Sequence, residues 1–252
     1  MEQPANEPAS PVTMRQTDPS TNPPSYQSTN LPFHFGVLWD LDGTLVDTGE
    51  FHFKSWSLAL PEFGYPFPED KFYRSFGMNN TGVLEVFLGW RPEPELATAI
   101  GDRKEELFRE LLRGNVRTLP GVRLWLERLR CWGARQAVAS SAPHDNIDAM
   151  MGELDILPYF DAVVSGYELP SKPDPAVFLK AAKIIGVTPE ACVVMEDAVA
   201  GVQAAKRAGM RCIAVTTTNP AEALHEADIV VDRLSNLSTQ AFKQLMALSD
   251  GL

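Results

Sequence analysis

Four places in this sequence set acidic, hydroxyl or basic side chains at the ends of apolar runs. Asp40 and Asp42 end the run FHFGVLW, with Gly43 and Thr44 following. Two carboxylates this close repel each other unless a cation compensates. A divalent cation would also let one carboxylate act as nucleophile while the other moves protons. Gly43 permits a tight backbone turn beside a ligand. Ser140 and Ser141 follow RQAVA, where hydroxyls and free N–H groups at a helix start make an anion site. Lys172, in SKPDP (171–175), is held between a serine and prolines and can neutralise a phosphate as a point charge. Glu196 and Asp197 follow ACVVM, and a second acidic pair suits Mg²⁺, which takes hard oxygen ligands.

Each place taken alone has a plain alternative. DxDG can be an ordinary loop, the serines a helix cap, Lys172 an exposed loop lysine, and Glu196 and Asp197 charges that complement a helix dipole. Together they are acid, hydroxyl, lysine and acid, placed after four different strands. In a parallel sheet the carboxyl ends of the strands share one crevice, so these groups can meet there.

The elements that must position them alternate from about residue 118 onward. VRLWLERLRCWG, DNIDAMMGEL, DPAVFLKAAKIIG and DAVAGVQAAKRAG read as helices, three of them stopped by glycine. RQAVA, DAVVSG, ACVVM, RCIAVTT and DIVVD read as strands, joining the first strand at 33–39. Strands alternating with helices of this length imply an α/β fold, a doubly wound parallel sheet covered on both faces. Residues 49–117 break the pattern with helical stretches such as EFHFKSWSLAL and ELATAIGDRKEELFRELL. They read as a helical cap inserted into a core made of 32–48 and 118–252. Residues 1–31, rich in Pro, Ser, Thr, Asn and Gln, read as a disordered tail.

Of the 252 residues, 44% are apolar and 22% charged, enough for a core without disulfides or structural metal. The net charge of −11 repels nucleic acid and anionic lipid, so neither is an expected partner. No run approaches the ~20 apolar residues of a membrane span, and no signal peptide is evident. The three cysteines are not spaced as metal pairs and read as buried free thiols, which fits a reducing cytoplasm. The four histidines show no zinc-type clustering.

The four motifs resemble those of the haloacid dehalogenase superfamily of phosphotransferases. DLDGTLVDT (40–48) is similar to its first motif, Ser140 to its second, Lys172 in SKPDP to its third and EDAVAGVQAAKRAG (196–209) to its fourth. The resemblance covers about residues 35–235, and the insertion after the first motif resembles the group of β-phosphoglucomutase and sugar-phosphate phosphatases. It implies a Rossmann-like core and a set of roles. Asp40 attacks phosphorus, and Asp42 protonates the leaving oxygen and then activates the acceptor. Mg²⁺ is held by Asp40, the Asp42 backbone carbonyl and Asp197. Ser140, Ser141 and Lys172 bind phosphoryl oxygens, with Thr44, His52 and Glu196 in support. The implied reaction is Mg²⁺-dependent hydrolysis of a small phosphorylated metabolite of the sugar-phosphate type by a cytoplasmic monomer.

One departure bears on the reaction. The mutase holds a distal phosphate with a cap arginine, whereas the corresponding stretch here reads SFGMNNTGV (75–83), with Asn79 and Asn80 where a cation is expected and Arg74 nearby. Asparagine cannot neutralise a phosphate, which favours water as acceptor and hence a phosphatase. The alternatives are a β-phosphoglucomutase-type phosphomutase and a non-catalytic binding or regulatory protein on the same fold. Among other residues, the run DRKEEL (102–107) reads as a solvated helix face and the five tryptophans as packing. His52 reads equally as a partner of Asp42 or as a packed cap residue. His144 is placed at the substrate mouth.

Overall fold

The computed structural model describes residues 35–75 and 78–248, so the expectation of a disordered tail at 1–31 lies outside the described residues. Six strands form one parallel sheet: β1 (Gly36–Trp39), β2 (Arg135–Ser140), β3 (Ala162–Ser165), β4 (Cys192–Glu196), β5 (Arg211–Val215) and β6 (Ile229–Val231). Their order is β3-β2-β1-β4-β5-β6. Among the described residues nine α-helices accompany them: α1 (Gly49–Glu62), α2 (Glu69–Phe72), α3 (Asn80–Leu88), α4 (Pro94–Leu112), α5 (Val122–Cys131), α6 (His144–Leu154), α7 (Ala176–Ile185), α8 (Val199–Arg207) and α9 (Thr239–Met246).

Alternation along the strands splits the core into two layers. Val37 and Trp39 face α5, α6 and α9, in a layer with Trp125, Ile147 and Phe242. Leu38 faces the other way, packing with Phe178 of α7 and Val202 of α8. Both faces are therefore apolar, which is why these strands read as continuous hydrophobic runs. The first strand begins at Gly36 rather than at 33; Phe35 precedes it, and 33 and 34 lie outside the described residues. Helix α9 was not anticipated. Its stretch TQAFKQLM buries Phe242 and Met246, and the Ser238 side chain caps it by accepting from Ala241 N–H at 3.0 Å.

Between β1 and α5 the chain forms α1 to α4, with an apolar cluster of their own that includes Trp56, Leu60, Leu84, Phe87 and Ile100. The chain departs and returns side by side. Val46 bridges Thr118, and Leu119 N–H donates to Leu45 O at 3.0 Å. Among the described residues no helix is long and apolar enough to cross a membrane.

Leu38 is fully buried, between Ala137 and Val194 on the neighbouring strands. Leu38→Ala leaves a cavity where both neighbours are fixed by the ladder. We expect a loss of about 2–5 kcal/mol in urea unfolding; a loss below ~1 kcal/mol would show that this layer can collapse around the gap.

Candidate active site

Strand order places the polar groups. The chain moves outward from β1 through β2 to β3, then returns to the other side of β1 with β4. The switch point of the sheet therefore lies between β1 and β4, where a crevice opens at the carboxyl ends. Asp40 follows β1 there, and Glu196 and Asp197 end β4 beside it. Parallel register sets Trp39 opposite Met195, and Asp40 N–H donates to Met195 O at 3.0 Å.

Lys172, on the loop between β3 and α7, closes this cluster from below. Its Nζ donates to Asp40 Oδ1 and to Glu196 Oε1, both at 2.6 Å. Glu196 Oε2 accepts from the backbone N–H groups of Asp197 and Ala198, each at 2.7 Å. Asp197 is held by three groups: the Thr44 hydroxyl at 3.4 Å, the Thr218 hydroxyl, and Asn219 Nδ2, which donates to its backbone carbonyl at 3.1 Å. Two glycines make the room. Gly43 has φ 80°, and a Cβ there would collide with the Asp197 carboxylate. A Cβ on Gly201 would collide with the Glu196 carboxylate.

The ammonium is outnumbered. Burial raises the Asp40 carboxyl to about 8; Lys172 opposes this, while Glu196 and Asp42 add to it. Burial likewise pushes Asp197 well above the carboxylate range, helped by Glu196 and Asp40 and opposed by Thr218 and Lys172. Burial alone would lower Lys172, but Asp40 and Glu196 raise it. One oxygen each from Asp40, Glu196 and Asp197 lies within 4.8 Å of the others. Three hard oxygen donors with an excess of negative charge fit a divalent cation of the Mg²⁺ type.

Asp42 points elsewhere. Its Oδ1 accepts from the Thr48 hydroxyl at 2.7 Å and sits 3.0 Å from His52 Nε2. On its other side, His52 Nδ1 lies 2.9 Å from Lys104 Nζ. An ammonium only donates, so Nδ1 accepts and Nε2–H is the proton that meets Asp42. Burial and the Lys104 charge lower the His52 pKa, in keeping with a neutral ring. Burial raises Asp42, but the hydrogen bonds from His52 and Thr48 and the charge of Lys104 pull it below its ordinary value. His52 also stacks on Phe108, with ring centroids 4.1 Å apart.

Above these carboxylates a cavity is lined by Asp40, Asp42, His52, Ser141 and, from the cap, Lys104 and Glu105. The structure thus brings Asp40, Thr44, Lys172, Glu196 and Asp197 into one cluster, with Asp42 and His52 at its edge. Ser140 is the last residue of β2, and its Oγ accepts from Ala142 N–H at 3.0 Å. Ser141 lies on the cavity wall.

The structure corrects or sharpens several readings from the sequence. The run 102–107 is not a solvated face throughout: Lys104 and Glu105 are 2% and 5% exposed. They fall in phase with Ile100 and Phe108 on the buried stripe of α4, a spacing the helical period could have revealed. His144 is exposed and absent from the cavity wall, whereas Asn146, two residues on, is buried there. Asn79 and Asn80 do line the cavity, but their side chains are engaged. Asn79 caps α3 by accepting from Gly82 N–H, and Asn80 donates to Glu105. Arg74 is exposed and does not line the cavity. Trp90 and Cys131 are exposed rather than packed. Thr218 and Asn219, after β5, went unread, although they obey the same strand-end rule as the other site residues.

Fold and site together define a class: proteins with a parallel α/β sheet, a carboxylate cluster at its switch point and an inserted helical cap above it. Residues 37–215 match the family described as haloacid dehalogenase-like hydrolase, and the chain is an enzyme of that family. Among similar proteins, a phosphorylated carbohydrates phosphatase of Thermotoga maritima is 32% identical over 77% of this chain and 91% of its own length. A β-phosphoglucomutase of Bacillus subtilis is 32% identical over 81% of this chain and 92% of its own. The chain spans only 57% of a longer relative, a chloroplastic 5-amino-6-(5-phospho-D-ribitylamino)uracil phosphatase of Arabidopsis thaliana. A crystal structure of β-phosphoglucomutase from Clostridium difficile shares the fold, with TM-score 0.77 at 23% identity, over 85% of this chain and 98% of that one.

The raised carboxyls give a signed pH dependence. Their folded pKa values exceed the unfolded value of about 4, so their contribution to stability is full below about pH 4 and lost as pH rises through the folded value, about 8 for Asp40. In chelator the melting temperature should therefore fall across this window. A divalent cation takes the place of the protons, so its stabilising increment should be larger near pH 8 than near pH 6. Thermal melts with chelator or Mg²⁺ at the two pH values check this; equal increments would refute the assignment of the three carboxylates.

Proposed function

We propose that this chain is a Mg²⁺-dependent phosphatase of small phosphate monoesters of the sugar-phosphate type, working through an aspartyl phosphate on Asp40. The observation that carries the reading is the position of Asp40. Its Oδ1 is held by Lys172 at 2.6 Å at the floor of the cavity, and Asp42 and His52 line that same cavity.

In the first step an Asp40 carboxylate oxygen forms a bond to phosphorus as the bond to the ester oxygen breaks. The leaving oxygen takes a proton from Asp42. In the second step a water gives its proton to the Asp42 carboxylate and attacks phosphorus, releasing phosphate and restoring Asp40. Asp42 is ionised in the substrate-free protein. A phosphate dianion bound beside it raises its affinity for the proton that the first step consumes. His52, fixed by Lys104, aims its Nε2–H at Oδ1 and leaves the other carboxylate oxygen for that transfer. Lys172 and Ser141 draw phosphoryl oxygens toward Asp40. Asp40, Asp197 and the Asp42 backbone carbonyl would hold Mg²⁺, with Glu196 in support; when bound it supplies the positive charge that keeps Asp40 ionised and offsets charge on the transferring group.

A phosphomutase is the second reading, supported by the similarity to the Bacillus subtilis enzyme. Against it, no arginine lines the cavity among the described residues, so a distal phosphate finds no such clamp. A non-catalytic role is disfavoured by the intact set of Asp40, Asp42, Lys172 and Asp197. The buried free thiols Cys192 and Cys212 support a reducing compartment such as the cytoplasm, and we take the working unit to be a monomer.

Asp40→Asn removes the nucleophile and retains the shape. Turnover of sugar phosphates with Mg²⁺ should fall by at least about a thousandfold, with the circular dichroism spectrum unchanged. Phosphate release at the native rate by this variant would exclude Asp40 as nucleophile. With β-glucose 1-phosphate and a trace of the bisphosphate, the wild type should liberate phosphate stoichiometrically. Glucose 6-phosphate without free phosphate would establish the mutase instead.

A further inference from the structure

The roof of the cavity carries a carboxylate that the chemistry at Asp40 does not use. Glu105 lies on the buried stripe of α4 and lines the cavity. Its Oε1 accepts from Lys104 Nζ at 3.0 Å and from Asn80 Nδ2 at 2.8 Å, and its Oε2 accepts from Asn146 Nδ2 at 2.5 Å. Arg109 donates to Asn146 Oδ1 at 2.9 Å, which fixes the amide so that its NH₂ faces Glu105. Burial pushes Glu105 up, but the Lys104 charge and the hydrogen bonds from Asn146 and Lys104 outweigh it and bring its pKa below the ordinary value. The group is therefore a fixed negative charge at neutral pH.

Lys104 is the one lysine or arginine on the cavity wall among the described residues. Its charge is already matched by Glu105, and its ammonium also donates to His52. A second anionic group on a substrate would meet the Glu105 carboxylate and a committed cation. Beside side chains as buried as Lys104 and Glu105 that repulsion is poorly screened. A hydroxyl is different. Two carboxylate oxygens offer about four acceptor positions, and three are filled, so Glu105 can accept one more hydrogen bond from a substrate donor.

We propose that Glu105 determines specificity: it selects phosphate esters whose leaving group donates hydrogen bonds and carries no second negative charge, namely neutral polyols and sugars, and rejects phospho-acids and bisphosphates. This rests on the phosphatase reading above and names the substrate class of that same site. Asn80 and Asn146 are the positioning residues that hold the carboxylate in place.

The test uses matched pairs differing by one carboxylate: glycerol 3-phosphate against 3-phosphoglycerate, and sorbitol 6-phosphate against 6-phosphogluconate. The wild type should favour the neutral member by at least about tenfold in kcat/KM, about 1.4 kcal/mol of discrimination. Glu105→Gln keeps the shape and removes the charge, and should move that ratio at least about tenfold toward the acid. A wild-type ratio near one, or one favouring the acids, overturns the proposal without need of the variant. So does a folded Glu105→Gln, checked by circular dichroism, that keeps the wild-type ratio. Absence of phosphate release from both pairs and from p-nitrophenyl phosphate would instead overturn the phosphatase reading, and this inference with it.

Discussion

A single buried ammonium faces three buried carboxylates, and much of the structure serves to make that imbalance tolerable. Lys172 reaches Asp40 and Glu196 at 2.6 Å each, and Asp197 completes the group within 4.8 Å. Removing such charges from water costs several kcal/mol per ion before any pairing. The surroundings recover part of it with donors: two backbone N–H groups on Glu196, and the Thr44 and Thr218 hydroxyls on Asp197. What remains is stored as raised carboxyl pKa values. The cluster thus keeps an excess of negative charge that a bound cation could offset.

The sheet is what keeps these groups from separating. Each carboxylate sits at or just past the end of a strand buried on both faces, so moving one outward would drag apolar neighbours with it. Gly43 and Gly201 then allow the two motifs to approach closely, since a Cβ on either would occupy the space of a site carboxylate. Packing thereby enforces a proximity that electrostatics alone would oppose.

The sheet and the carboxylate–lysine cluster were legible because both rest on local patterns. Buried strands read as apolar runs, and polar residues after them mark the crevice. Three kinds of feature were not. A charge run looks solvated unless its phase is checked, which hid Lys104 and Glu105. Loop geometry decides which of two neighbours faces the cavity, so His144 was chosen and Asn146 missed. The final amphipathic helix follows a weak stretch whose apolar residues, Phe242 and Met246, have meaning only against a core already assembled. Asn79 and Asn80 illustrate a further limit. Their positions at the cavity could be inferred, but Ser171, which the Asn79 N–H meets, and Glu105, which the Asn80 side chain meets, lie far along the chain.

Those partners tie recognition to closure. Asn79 N–H donates to Ser171 Oγ at 3.2 Å, beside Lys172. Asn146 of α6 donates to Glu105 of α4, and Arg109 of α4 donates back to Asn146. The cap is therefore fastened to the core by residues that also line the cavity or lie beside Lys172. A leaving group that disturbs Glu105 disturbs one of these fastenings at the same time. On the reading proposed above, a mismatched ester would meet two penalties: repulsion beside Glu105 and a looser contact between cap and core over Asp40, where entering water would weaken the interactions that phosphoryl transfer needs. Selectivity in such a site does not require a tight steric fit, because a misplaced charge acts on binding and on the dryness of the chemistry together.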